Sequence, residues 1–73
     1  MPNESLNNRI LRTLGNDEDR CMSFEELVEI YHGDGIPEMT KALNRLLNKG
    51  VVRRFRATYR GNPQNHYELT DRS

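Results

Sequence analysis

The hydrophobic period of this chain changes from that of a helix to that of a strand at one glycine, Gly50, and this switch constrains the fold most. Before it, Met39, Ala42, Leu43, Leu46 and Leu47 recur at the three-and-four spacing of one helix face. Pro37 suits the first helical position, Lys49 the negative end of the helix dipole, and Gly50 the left-handed terminator. After Gly50 the period is two. Val51, Arg53, Phe55, Ala57 and Tyr59 alternate with Val52, Arg54, Arg56, Thr58 and Arg60. Phe55, Ala57 and Tyr59 suit a packed face, and Arg54, Arg56 and Arg60 a wet one. Val51 and Val52 are both expected against the helices, and Arg53 along the packed face with its charged head in water. Gly61-Asn62-Pro63-Gln64-Asn65 reads as a turn by composition. His66 to Thr70 then forms a returning strand with Tyr67 and Leu69 on the packed side.

Two shorter helices are expected upstream. Leu6, Ile10, Leu11 and Leu14 form one stripe of a helix running from about Glu4 or Ser5 to Leu14, stopped by Gly15-Asn16. The acidic stretch Asn16 to Arg20 reads as an exposed loop. Ser23-Phe24-Glu25-Glu26 matches a capping box, with Met22 placed to staple onto Leu27. That predicts a second helix from Phe24 to about Tyr31, with Cys21 and Met22 as a short strand ahead of it. His32-Gly33-Asp34-Gly35 is a turn whose glycines permit positive φ.

With 73 residues, the chain is expected to form one small domain, residues 1–73, of modest stability. A single cysteine, Cys21, cannot close an internal disulfide. No apolar run approaches the roughly 20 residues of a membrane span, and the N-terminus has no signal-peptide core. The expectation is a protein of the cytoplasm, nucleoid or nucleus, neither secreted nor membrane-bound. The formal net charge of zero conceals a polarised molecule. Residues 1–40 carry nine acids against three bases, whereas residues 41–73 carry eight bases against two acids. A cationic segment beside an exposed helix is the electrostatic footprint of a polyanion binder.

Three helices and a hairpin, the third helix closed by Lys49-Gly50 and leading into Val51-Val52-Arg53-Arg54, resemble the winged helix-turn-helix family. The segment KALNRLLNKGVVRR (Lys41 to Arg54) is similar to the recognition helix and first wing strand of many transcriptional regulators. The ending RGNPQNHYELTDRS resembles the wing return of that family, a Gly/Pro-rich tip leading into a Tyr-x-Leu-Thr strand. The resemblance covers nearly the whole chain. It implies an α+β fold of three helices plus a C-terminal wing, and a transcriptional regulator that binds double-stranded DNA. Its third helix would enter the major groove and its wing would follow the backbone or minor groove. Thr40, Lys41, Asn44, Arg45 and Asn48 would then face the groove, Arg45 suited to guanine and Asn44 to adenine. Arg54, Arg56 and Arg60, with Asn62 and Gln64 at the tip, would grip phosphates or a narrow minor groove.

Glu38, near the start of that helix, departs from the pattern: it repels phosphate unless it accepts from a cytosine amino group. Many family members continue into a dimerisation helix. For a homodimer of this chain, the first helix and the wing are the expected contact elements. No nucleophile–base pair can be assembled, so no enzyme is expected. Cys21, His32 and His66 lack zinc-ligand spacing, and no cofactor or small-molecule ligand is implied. The competing reading is a winged-helix protein-interaction module within a larger assembly. A DNA binder should leave Lys41, Arg45, Arg54, Arg56 and Arg60 unpaired on one surface. An interaction module should pair them internally or set an apolar patch beside them.

Overall fold

In the computed structural model, which describes residues 5–70, the element order is helix, short strand, helix, helix, strand, strand. Helix α1 spans Leu6–Asn16, strand β1 Cys21–Ser23, helix α2 Phe24–Tyr31, helix α3 Ile36–Lys49, strand β2 Val52–Tyr59 and strand β3 Asn62–Leu69. One turn of 3₁₀ helix, His32–Asp34, links α2 to α3. The strands form one antiparallel sheet in the order β1-β3-β2.

Local chemistry accounts for the helix ends. Ser5 caps α1 by accepting from the Asn8 amide; the alternative start at Glu4 lies outside the described residues. The stop expected at Gly15-Asn16 falls two residues later. Both residues are helical, and the Asp17 amide closes the last turn on the Leu14 carbonyl at 3.2 Å. Gly15 faces β3 instead, with the Leu69 Cδ1 atom 3.7 Å from where a Cβ would stand. Helix α2 begins with the expected capping box. Ser23 Oγ accepts from the Glu26 amide at 3.2 Å, and Glu26 Oε1 accepts from the Ser23 amide at 2.9 Å. Of the two glycines ahead of α3, only Gly35 adopts positive φ, +94°. Gly50 ends α3 in the left-handed conformation, φ 78°, its amide bonded to the carbonyls of Leu46 and Leu47.

The core lies between the three helices and the base of the sheet. Ile10 and Leu14 from α1, Leu27 from α2, and Met39, Ala42, Leu43 and Leu46 from α3 are buried against Val52 and Tyr67. The Tyr31 hydroxyl bonds Thr13 Oγ1 at 2.6 Å and donates to the Arg9 carbonyl at 2.9 Å, tying α2 to α1. Arg9 in turn holds Asp34 through two bonds of 3.1 and 2.9 Å, which anchors the 3₁₀ turn immediately before α3. That hydrogen-bonded carboxylate raises the guanidinium pKa above its ordinary value.

The hairpin departs from the expected layout in two ways. Its turn is Arg60-Gly61, not Gly61 to Asn65, and β3 already starts at Asn62. Both turn residues have positive φ, 54° and 80°, which matches the twist of a two-residue hairpin. Tyr59 and Asn62 close this turn, so Pro63, opposite Thr58, directs its nitrogen away from β2. β1 pairs only with residues 66–68, so that edge is open and Pro63 removes no ladder bond.

The second departure concerns which face of the sheet meets the helices. Arg54 lies opposite Tyr67 and Val52 opposite Leu69, and directly opposed residues share a face. The packed face is therefore Val52, Tyr67 and Leu69 with Met22, and Arg54 and Arg56 continue it beyond the helices. Phe55, Ala57 and Tyr59 belong to the other face. There Phe55 stacks on His66 at 5.4 Å between centroids, and Tyr59 meets His66 edge-on at 6.4 Å. These rings are half-buried by one another rather than by the main core. Arg53 shares this outer face, exposed, with its Nε 2.6 Å from Glu68 Oε1 and its guanidinium over the Phe55 ring.

Candidate nucleic-acid interface

The exposed residues of α3 repeat with the same spacing as its buried ones. Thr40, Lys41, Asn44, Arg45 and Asn48 are all exposed, on the side opposite Met39, Ala42, Leu43 and Leu46. A helix with one flank this deeply buried is held rigidly by the core while its polar stripe stays open to a partner. The bidentate Arg9–Asp34 pair and the Gly35 turn position its first residue.

Its cations differ in how far they are engaged. Lys41 Nζ stands 3.8 Å from Glu38 Oε2, both side chains more than 60% exposed, so the pair is a loose solvent-screened contact. Glu38, the unwelcome acid of the stripe, is thereby partly compensated. Arg45 donates to Asn7 Oδ1 at 3.3 Å and leans toward α1.

On the wing, Arg54 and Arg56 are exposed and have no ion-pair partner among the described residues. Two residues apart on one strand face, they are spaced by roughly 6.8 Å. They sit on the face of Val52 and Tyr67, where that face runs out past the core. Thr58 continues their row, and Asn65 faces Arg56 from β3.

The other wing candidates lie elsewhere. Asn62 and Gln64 are on the outer face with Tyr59 and Ala57. Gln64 is occupied: its Oε1 accepts from the Glu25 amide at 2.8 Å, and its Nε2 donates to Glu25 Oε1 at 3.3 Å. It thereby satisfies one of the open amides at the start of α2. Arg60, at the turn, lies 3.8 Å from Glu25 Oε2 and over the Tyr59 ring at 5.2 Å. Glu25 thus ties the wing to α2, a role sequence reading did not find because its partners lie 39 and 35 positions away. Arg9 and Asp34 were missed for the same reason.

No group of three or more His, Cys, Asp or Glu residues that could hold a metal is present among the described residues. No described helix is long and apolar enough to cross a membrane.

A helix pair joined by a tight turn, with a basic antiparallel hairpin beside the second helix of the pair, defines a winged helix-turn-helix protein. No family model matches the chain, nor does any curated protein. Among solved structures, it is similar to Stf76 from the Sulfolobus islandicus plasmid-virus pSSVx, with a TM-score of 0.75 and 30% sequence identity. The match covers 94% of this chain and 86% of that one. At that identity and coverage the chain belongs to the same family as Stf76.

Proposed function

We propose that this protein binds double-stranded DNA as a small transcriptional regulator, with α3 in the major groove and the wing along the backbone. The observation that carries the reading is the pair Arg54 and Arg56, exposed and unpartnered among the described residues, side by side on the wing face that continues Val52 and Tyr67. A side chain with no internal partner keeps its full capacity for a phosphate oxygen. The exposed stripe of α3 supplies what a groove-reading helix needs: threonine, asparagine, lysine and arginine on one rigid face. The relationship to Stf76, from a plasmid-virus, is compatible with a regulator of a mobile element.

In this reading Lys41, Arg45, Arg54, Arg56 and Arg60 neutralise phosphate or reach base edges. Asn48 contacts the sugar-phosphate at the end of α3, and Asn62 does so at the wing tip. Gln64 holds the wing to α2 and contacts DNA little. The acidic first half faces away from the duplex and restricts binding to one side of the molecule. No chemical step is assigned to it.

The test is fluorescence anisotropy with random-sequence duplex across a range of salt. Five neutralised phosphates imply a log–log slope of about −4.5. Absence of duplex binding at low ionic strength would overturn the proposal. Two observations favour the interaction-module reading instead: Lys41, Arg45 and Arg60 each have an internal partner, and Ile30, 50% exposed, lines an open cleft between α1 and α2 with Thr13 and Tyr31. If duplex binding fails while an Ile30→Asp variant releases a bound protein partner, that reading prevails.

A further inference from the structure

Ile36 is the first residue of α3, and it is one of two large apolar side chains left exposed among the described residues, at 38%. It belongs neither to the core nor to the half-buried residues packed against it. Ile36 stands three residues before Met39 and seven before Leu43, at the edge of the core-facing stripe, yet its side chain stays exposed. Ile36, Thr40 and Asn44 stand four residues apart, so they form one row along the helix, each about 6 Å from the next. The row begins at the N-terminal end of the helix, the end from which helix-turn-helix proteins reach base edges.

The chemistry of this row is selective. An isoleucine and a threonine methyl offer apolar contact, and in the major groove only thymine presents a methyl group to meet it. Asn44 next in line has the paired donor and acceptor that match adenine. The side chain suited to guanine, Arg45, lies on the other flank of α3 and is drawn toward α1 by Asn7 Oδ1 at 3.3 Å. Lys41 is drawn toward Glu38. This row therefore carries groups for A·T pairs, while Glu38, Lys41 and Arg45 lie along the other flank of the helix.

Resting on the reading of α3 as the groove-entering helix, we propose that Ile36, Thr40 and Asn44 read A·T base pairs through the thymine methyl and the adenine edge, with Ile36 as a specificity-determining residue. The test compares three short duplexes at one salt concentration: alternating A·T, alternating G·C, and A·T with every thymine replaced by deoxyuridine. The uracil duplex loses only the methyl and keeps the same minor-groove acceptors, so it separates methyl recognition from recognition of a narrow minor groove.

The wild-type protein should prefer A·T over G·C by about tenfold. It should lose about fourfold on the uracil duplex for each methyl contacted. An Ile36→Ser variant should bind the thymine and uracil duplexes more nearly alike. Its thermal melt should match the wild type, because the side chain is outside the core. Equal affinity of the wild type for A·T and G·C overturns the inference, as does an A·T preference that survives replacement of thymine by uracil. Both outcomes leave DNA binding itself intact. Absence of binding to all three duplexes at low salt overturns the function proposed above, and this inference with it.

Discussion

Gly15 occupies the last turn of α1 in helical conformation, and a methyl group placed on it would meet Leu69 Cδ1 at an ordinary contact distance of 3.7 Å. Glycine there only adds freedom to the unfolded chain. Gly15→Ala should therefore stabilise the protein by about 0.5–1 kcal/mol, read as a higher urea midpoint with unchanged slope. A lower midpoint would mean that α1 needs glycine at its end. Gly50 is the opposite case, since its φ of 78° strains any other residue. Cys21 shows how a strand edge shapes chemistry. Burial pushes its thiol pKa up, and Glu68, directly across on β3, adds to the shift together with Asp17. The folded state therefore holds the proton more tightly than the unfolded chain. Its contribution to stability is complete below the unfolded thiol pKa and is lost as pH rises through the folded one. At mildly alkaline pH, alkylation of Cys21 should be slower in the native protein than in denaturant; equal rates would rule out this environment.

At the scale of elements, the wing is the part that local sequence describes least well. Its turn places arginine at a left-handed position that favours asparagine or glycine, a conformation costing a residue such as arginine roughly 1 kcal/mol. Arg60→Asn should raise the melting temperature by relieving that strain. If Arg60 touches phosphate, the same change should flatten the salt slope of DNA binding by about 0.9. A melting temperature unchanged or lowered would show that the contacts of Arg60 with Glu25 and Tyr59 outweigh the strain. The stack of Phe55 on His66 gives the ribbon a small apolar cluster of its own, outside the main core. His66 Nε2 is buried there without a hydrogen-bond partner among the described residues. With Gln64 and Arg60 reaching Glu25, the hairpin is fastened to the body near its tip as well as at its base.

For the whole molecule, the neutral total and the opposed halves mean that binding strength depends on orientation as well as charge. Under the proposed function, Asn44→Ala should weaken binding by about 1–3 kcal/mol on duplexes rich in A·T pairs and less on others. Arg56→Ala should weaken it evenly and flatten the salt slope by about one unit. Titrations on several duplexes distinguish the two, and equal losses everywhere would refute this division of labour.

Much of the fold is legible along the chain. The Ser23–Glu26 capping box that starts α2, the α3 stripe and its glycine stop are patterns over three or four residues, so a linear sequence contains them. The exposed row of α3 follows from the same periodicity, because burying one flank leaves the other outside. Which face of the hairpin meets the helices could not be read this way. Val51 and Val52 are both apolar, and Phe55 and Tyr59 look like core, so alternation alone admits either assignment. Only the pairing of Arg54 with Tyr67 and Phe55 with His66 resolves it, because strand parity is set by the register against a second strand. That pairing put Arg54 and Arg56 on the face of Val52 and Tyr67, put Asn62 and Gln64 on the opposite face, where Gln64 reaches Glu25 of α2, and left the aromatic rings to pack on one another.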